Sequence, residues 1–191
     1  MTLHLAQDAE ADALLESDPF ALLAGMLLDQ QVPMEWAFSG PATIARRLGV
    51  QRLDPAMIAD LDPDEFASLL SRTPAVHRYP GSMAARIQKL GRAIADEYGG
   101  DAAAVWTEAA DGRDLLRRLR ALPGFGEQKA RIFVALLGKQ LGVQPYGWRE
   151  AAGAYGEQGS RRSVADVTGP DSLAEVRAYK KAAKAAAKAG G

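Results

Sequence analysis

The chain has 191 residues, a formal net charge of -1 at pH 7 and no cysteine. This length suits one domain or two small lobes, and the lack of cysteine excludes disulfides, zinc thiolate sites, iron–sulfur clusters and a cysteine nucleophile. No apolar run reaches the length of a membrane span, and the N-terminus does not resemble a signal peptide, so we expect a cytoplasmic protein that does not bind membranes.

Charge is distributed unevenly along the chain. Residues 1–31 contain six acidic residues and no lysine or arginine, whereas residues 177–191 contain five basic residues and no acidic one. Such asymmetry is typical of a region that faces a polyanion. The alternative is a solvated tail without a partner.

Helix signals recur at short intervals. Three Asp-Pro pairs, at residues 18–19, 54–55 and 62–63, combine a favoured N-cap with a proline at the first helical position. No segment alternates like a strand, so the pattern predicts an all-α fold of about ten short helices. The predicted helices span residues 20–28, 41–48, 63–70, 82–98, 113–122, 127–141 and 172–188. We expect the last one to fray into a basic tail, which leaves a domain over residues 1–170 and a C-terminal segment over residues 171–191.

The stretch LPGFGEQKA, which begins at Leu122, places a proline and two glycines between two apolar segments. Leu122 and Phe125 have the spacing of residues that hold two helices together, whereas Gly124 and Gly126 allow backbone shapes that a Cβ would hinder. The bend leaves the first amides of the next helix free to bind a phosphate oxygen. Lys129 adds a positive charge there and is a candidate phosphate contact.

This spacing resembles the helix-hairpin-helix DNA glycosylase (HhH-GPD) superfamily of base-excision repair, and within it an actinobacterial-type branch. Two further stretches are similar to that superfamily, GMLLDQQVPMEWAFSGPATIARRLG at residues 25–49 and PAVHRYPGSMAARIQKLGRAI at residues 74–94. The resemblance implies a two-lobed all-α fold whose hairpin, at residues 119–133, holds double-stranded DNA while a nucleotide is flipped into the groove between the lobes. We expect a monomer, near the nucleoid.

The resemblance also assigns DNA contacts. The pair Gln30 and Gln31 corresponds to side chains near the lesion, where an amide can satisfy a donor or an acceptor of an orphaned base; the alternative is a surface turn. The hairpin contacts would come from Leu122, Pro123, Gly124, Phe125, Gly126, Gln128 and Lys129. No redox cofactor is implied, but a K⁺ or Na⁺ ion commonly binds the hairpin carbonyls, here those of Leu122, Gly124 and Phe125.

The catalytic groups of the superfamily are replaced in this chain. Lyase-type members carry a nucleophilic lysine where this chain has Gln128, so we expect no β-lyase activity. Their catalytic aspartate corresponds to Tyr146, and the glutamate of the adenine glycosylases corresponds to Met26. Three carboxylates are candidate replacements, in this order: Glu150, Asp29 and Asp166. The alternative for Glu150 is an ion pair with Arg149 or Arg46.

Three aromatic residues are candidates for stacking on a flipped base: Tyr146, Trp148 and Trp36. Core packing is the alternative for each. Neither histidine is spaced as a metal ligand, and we expect His77 to contact the backbone or to cap a turn. The sequence thus predicts a monofunctional DNA glycosylase; the alternatives are a lesion-sensing DNA-binding protein without catalysis and a structural all-α domain.

Overall fold

The computed structural model describes residues 2–191, and within them it contains helices and no β-strand. The all-α prediction is therefore confirmed. The α-helices are α1 (Ala9–Ser17), α2 (Pro19–Leu28), α3 (Met34–Leu48), α4 (Pro55–Asp60), α5 (Pro63–Ser71), α6 (Pro80–Tyr98), α7 (Ala104–Thr107), α8 (Gly112–Arg120), α9 (Glu127–Gln140), α10 (Trp148–Ala152) and α11 (Pro170–Ala189). Two short 3-10 helices, Gly153–Gly156 and Val164–Asp166, lie between α10 and α11.

Aspartate side chains fix the starts of the early helices. Asp18, Asp54 and Asp62 each accept a hydrogen bond from an amide in the first turn of α2, α4 or α5, and each precedes a proline. Asp8 does the same for α1. No proline follows Asp8, and for that reason the sequence pattern did not indicate this helix.

Helix α3 is longer than predicted, because the prediction took an internal proline for the start of the helix. The predicted start at Pro41 treated this residue as a first helical position, whereas the helix begins at Met34. Close packing holds the helix together around the missing amide. Pro41 is buried, and a Cβ on the neighbouring Gly40 would lie only 2.6 Å from the side chain of Leu28 on α2.

The helices form two groups that share one hydrophobic core. Helices α1 to α6 contact one another, whereas α8, α10 and the 3-10 helices surround α9. Buried apolar side chains of both groups belong to one continuous cluster. The groups meet where α9 approaches the end of α2: Gly124 lies against Leu27, and the side chain of Lys129 reaches the last carbonyls of α2.

Helix α11 contains the predicted C-terminal helix and continues to Ala189. Its buried residues, Leu173 and Val176, lie in its first two turns, and every residue from Arg177 onward is exposed. Among the residues that the structure describes, no helix combines the length and the apolar character needed to cross a membrane.

Candidate nucleic-acid interface

The hairpin between α8 and α9 is a tight turn whose apolar side chains point inward. The amide of Phe125 donates to the carbonyl of Leu122 over 3.1 Å, and Gly124 has a φ of +85°. A type II turn requires this positive φ at its third residue. Leu122 and Phe125 are buried, and the ring of Phe125 meets that of Phe133 edge-on at 5.9 Å. The side chains therefore anchor the hairpin, and its backbone is left at the surface.

Gly126 is the N-cap of α9, and its own conformation does not require glycine. Its φ of -77° and ψ of -179° suit any residue, and a Cβ added there would meet no atom within 4 Å. No side chain of the described residues caps the helix. The one acidic residue of the first turn, Glu127, is paired with Arg120 and Arg131 at 2.7 Å each. The start of α9 is thus an open surface of unpaired amides, which attracts anions.

The ammonium group of Lys129 binds backbone carbonyls of the same chain. Its Nζ donates to the carbonyls of Met26 and Leu27 at 2.6 and 3.2 Å and lies 3.4 Å from the carbonyl of Asp29. These carbonyls end α2, where the helix dipole favours a cation. Burial lowers the pKa of Lys129 to about 8. Lys129, the candidate phosphate contact, therefore joins α9 to α2.

We expect Lys129→Met to lower the free energy of unfolding by about 1 to 3 kcal/mol at neutral pH, because the last carbonyls of α2 lose their hydrogen-bond donor. Burial holds the pKa of Lys129 near 8 in the folded chain, against 10.5 for an ordinary lysine. Between these two pH values the unfolded chain keeps a proton that the folded chain releases, so rising pH stabilises the wild type further.

The measurement is urea unfolding of both proteins across that pH range. We expect the stability difference between them to widen as the pH rises, and the exposed variant Lys184→Met to match the wild type throughout. A difference that narrows with rising pH would show that the folded pKa of Lys129 is not lowered.

A cavity of about 530 Å³ lies where α2, α9 and α11 meet, and we call it the Asp29 cavity. Its volume is within the usual range for ligand sites. Asp29 directly follows α2, and its carboxylate has no hydrogen-bond partner among the described residues. Burial raises the pKa of Asp29, and the charges of Lys180 and Lys129 act in the opposite direction. The other polar lining residues are Gln128, Lys129, Tyr155, Arg162, Tyr179 and Lys180.

Four of these lining residues were not predicted to be site residues: Tyr155, Arg162, Tyr179 and Lys180. The amide of Gln128 donates to the hydroxyl of Tyr155 at 3.0 Å, and Arg162 donates to that of Tyr179 at 3.2 Å. Tyr155 and Arg162 belong to a segment without regular periodicity, so no sequence signal marks them. Lys180 belongs to the basic run noted above, but only the packing of α11 shows that it lines the cavity.

The first-choice carboxylate, Glu150, does not share this cavity. Glu150 is exposed and lines a separate cavity of about 700 Å³ together with Arg113, Arg131 and Tyr146. It forms no ion pair with Arg149 or Arg46 among the described residues. We call this second space the Glu150 cavity.

The third carboxylate is fully engaged in the fold. Asp166 is buried, accepts a hydrogen bond from the ammonium of Lys139 at 2.6 Å and accepts another from the amide of Arg162 at 2.9 Å. These contacts hold the 3-10 helix at Val164–Asp166 against α9. Of the three candidates, only Asp29 places a carboxylate without a partner in the cavity beside the hairpin.

The three candidate aromatic residues lie in three different surroundings. Trp148 is buried, and a Cβ on Gly138 would lie 2.4 Å from its ring, so the packing alternative applies to it. Trp36 is partly exposed on α3, and its Nε1 donates to the carbonyl of Ala75 at 3.0 Å. Tyr146 is 91% exposed at the Glu150 cavity. None of the three lines the Asp29 cavity.

Gln30 and Gln31 form the turn between α2 and α3. Gln31 is exposed and has a φ of +61°, which residues other than glycine seldom adopt. The side-chain oxygen of Gln30 accepts a hydrogen bond from Arg86 at 2.9 Å. The buried ring of His77 holds the turn, because its Nε2 contacts the carbonyl of Gln30 at 2.8 Å. The expectation that His77 contacts the backbone is confirmed.

Comparison of the chain with protein-family models, with curated proteins and with solved structures gave no match. Function is therefore inferred from the hairpin, the Asp29 cavity and the residues around them.

Proposed function

We propose that this chain is a DNA-binding base-excision repair protein of the helix-hairpin-helix type. In this proposal it is a monofunctional DNA glycosylase that hydrolyses the N-glycosidic bond of a damaged or mispaired base in double-stranded DNA. One observation carries the proposal: the open start of α9 and the carboxylate of Asp29 belong to the same cavity, since Gln128 and Lys129 line it together with Asp29.

The hairpin would hold the DNA backbone. The unpaired amides at the start of α9 suit a phosphate oxygen, and the open space at Gly126 allows a sugar–phosphate chain to approach the backbone closely. A K⁺ or Na⁺ ion would be held by the carbonyls of Leu122, Gly124 and Phe125. The carbonyl of Leu122 accepts one hydrogen bond in the turn and keeps a second lone pair for such an ion.

Asp29 would act on the nucleotide that enters the cavity. As the bond between C1′ and the base nitrogen breaks, the base leaves with the electron pair and positive charge develops on the sugar. A carboxylate beside that sugar stabilises the charge, and it can take the proton of the water whose oxygen bonds to C1′. A carboxyl group whose pKa is raised by burial is suited to such proton transfer.

Neither residue at the start of α9 offers a free amine. Gln128 has an amide, and the ammonium of Lys129 is held by the carbonyls that end α2. This arrangement supports hydrolysis without strand cleavage, so we expect an intact abasic site as the product.

A second candidate function is lesion sensing without catalysis. It is favoured by Tyr146 and Met26, which stand where the resemblance would place carboxylates, and by Glu150, which lines a different cavity from Asp29. The hairpin and the cavity would then select a distorted nucleotide and leave its glycosidic bond intact.

The test is a panel of duplexes carrying uracil, hypoxanthine, alkylated purines, 8-oxoguanine mispairs or an abasic-site analogue. The bound fraction and the released base are measured in the same tubes. Release of a base supports the glycosylase, and lesion-selective binding without release supports the sensor. Failure to bind any duplex at low salt contradicts both.

A further inference from the structure

The C-terminal half of α11 carries a row of lysines on one face. Lys181, Lys184 and Lys188 follow one another at intervals of three and four residues, which places their side chains along the same side of a helix. None of the three takes part in an ion pair among the described residues. We call these three residues the lysine stripe.

The helix that carries the lysine stripe is anchored through its first ten residues. Leu173 and Val176 are buried, and Arg177 forms an ion pair with Glu35 on α3. Every later residue is exposed, and alanine is the only other residue type between Lys181 and the end of the helix. Alanine favours a helix without needing a core to fill. This segment therefore presents its lysines to the outside and contributes nothing to packing.

The lysine stripe begins within the segment of α11 that lines the Asp29 cavity. Lys180 precedes the stripe and lines that cavity, together with Tyr179 and Ala183 of the same helix. The start of α9 lines it as well, through Gln128. An anionic chain that reaches the hairpin at this cavity would thus meet α11 beside it.

We propose that the lysine stripe is a second contact surface for the phosphate backbone of duplex DNA, next to the cavity that receives the nucleotide. The inference rests on the proposed function. The helix rises about 10 Å from Lys181 to Lys188, and one strand of B-DNA places about three phosphates in that length of duplex. The number and spacing of the lysines fit such a strand.

The composition of α11 argues against a membrane as the partner. A helix that lies on a membrane surface combines its basic face with bulky apolar residues that enter the lipid. Beyond Lys180, the faces of α11 away from the stripe carry only alanine until the helix ends. The stripe offers charge alone, and duplex DNA is a partner that charge alone can hold.

The experiment measures the affinity for a labelled duplex with an abasic-site analogue between about 50 and 200 mM salt. It compares the wild type with a full-length variant carrying Lys181→Gln, Lys184→Gln and Lys188→Gln. A matched control carries Arg46→Gln, Arg72→Gln and Lys89→Gln, which remove as many charges from exposed positions without ion pairs among the described residues. Circular dichroism checks that α11 stays helical, since glutamine and lysine have similar helix propensities.

We expect the slope of log affinity against log salt to become shallower by about 2 to 3 in the stripe variant and to stay unchanged in the control. Equal slopes in all three proteins, or equal losses in both variants, would overturn the inference and leave the proposed function standing. A wild type that binds no duplex at low salt would overturn both. Stripe-dependent binding to vesicles of phosphatidylserine and phosphatidylcholine, with no effect on DNA, would also overturn the inference.

Discussion

Replacing Asp29 with asparagine is expected to reduce base release by about a thousandfold while leaving DNA binding within a few-fold of the wild type. Asparagine has nearly the same shape but cannot carry the negative charge that would stabilise the sugar or accept a proton from water. In the wild type, release should rise with pH as Asp29 ionises. The midpoint should lie above 3.8, the ordinary value, because burial raises the pKa of Asp29.

The matched control for this prediction is Glu150→Gln. It makes the same change of carboxylate to amide, but in the separate Glu150 cavity. Single-turnover release from the most active duplex of the panel, measured for both variants, checks the assignment. Loss of release in Glu150→Gln with normal release in Asp29→Asn would reverse the assignment. Glu150, the first choice from the sequence, would then be the catalytic carboxylate.

Replacing Gly126 with aspartate is expected to weaken DNA binding by about ten- to a hundredfold, without any loss of stability. Aspartate is among the best N-cap residues, so its carboxylate would bind the amides at the start of α9 and stabilise the helix. The same carboxylate would occupy the place of a phosphate oxygen and repel the DNA. Affinity and stability should therefore move in opposite directions, which a general disturbance of the fold cannot produce.

Gly81→Asp is the control for this change. Gly81 lies in the first turn of α6, which also lacks a side-chain cap, and a Cβ there would meet nothing within 4 Å. Fluorescence anisotropy with the duplex and thermal unfolding should be measured for both variants. Equal affinity in the two would contradict a role for the hairpin. Gly124 is less suitable for this test, because its φ of +85° strains any other residue.

The parts of the fold that could be predicted are those determined by neighbouring residues. An Asp-Pro pair starts a helix wherever it stands, and Pro123 and Gly124 specify their own turn. These local signals gave the starts of α2, α4 and α5, and the hairpin before α9. The internal proline of α3 shows the limit of such reasoning, because packing on α2 decides whether the helix continues.

The candidate site depends on contacts that the sequence does not contain. Glu150 was preferred because it is near the expected position when residues are counted along the chain from Gln128. Counting does not show that α10 faces the Glu150 cavity, or that the end of α2 brings Asp29 beside α9. In the same way, Lys129 is a candidate phosphate contact by its position, and nothing in the sequence indicates its partner carbonyls.

The bond between Lys129 and the end of α2 has a mechanical consequence. It ties the helix that would hold the DNA strand to the residue just before the turn of Gln30 and Gln31, so both places must shift together. If the proposed function holds, the reach of one side chain would act as a spacer between the phosphate bound at α9 and the carboxylate of Asp29. It would set how far a nucleotide must move to reach Asp29, and a longer or shorter side chain at position 129 would change that distance.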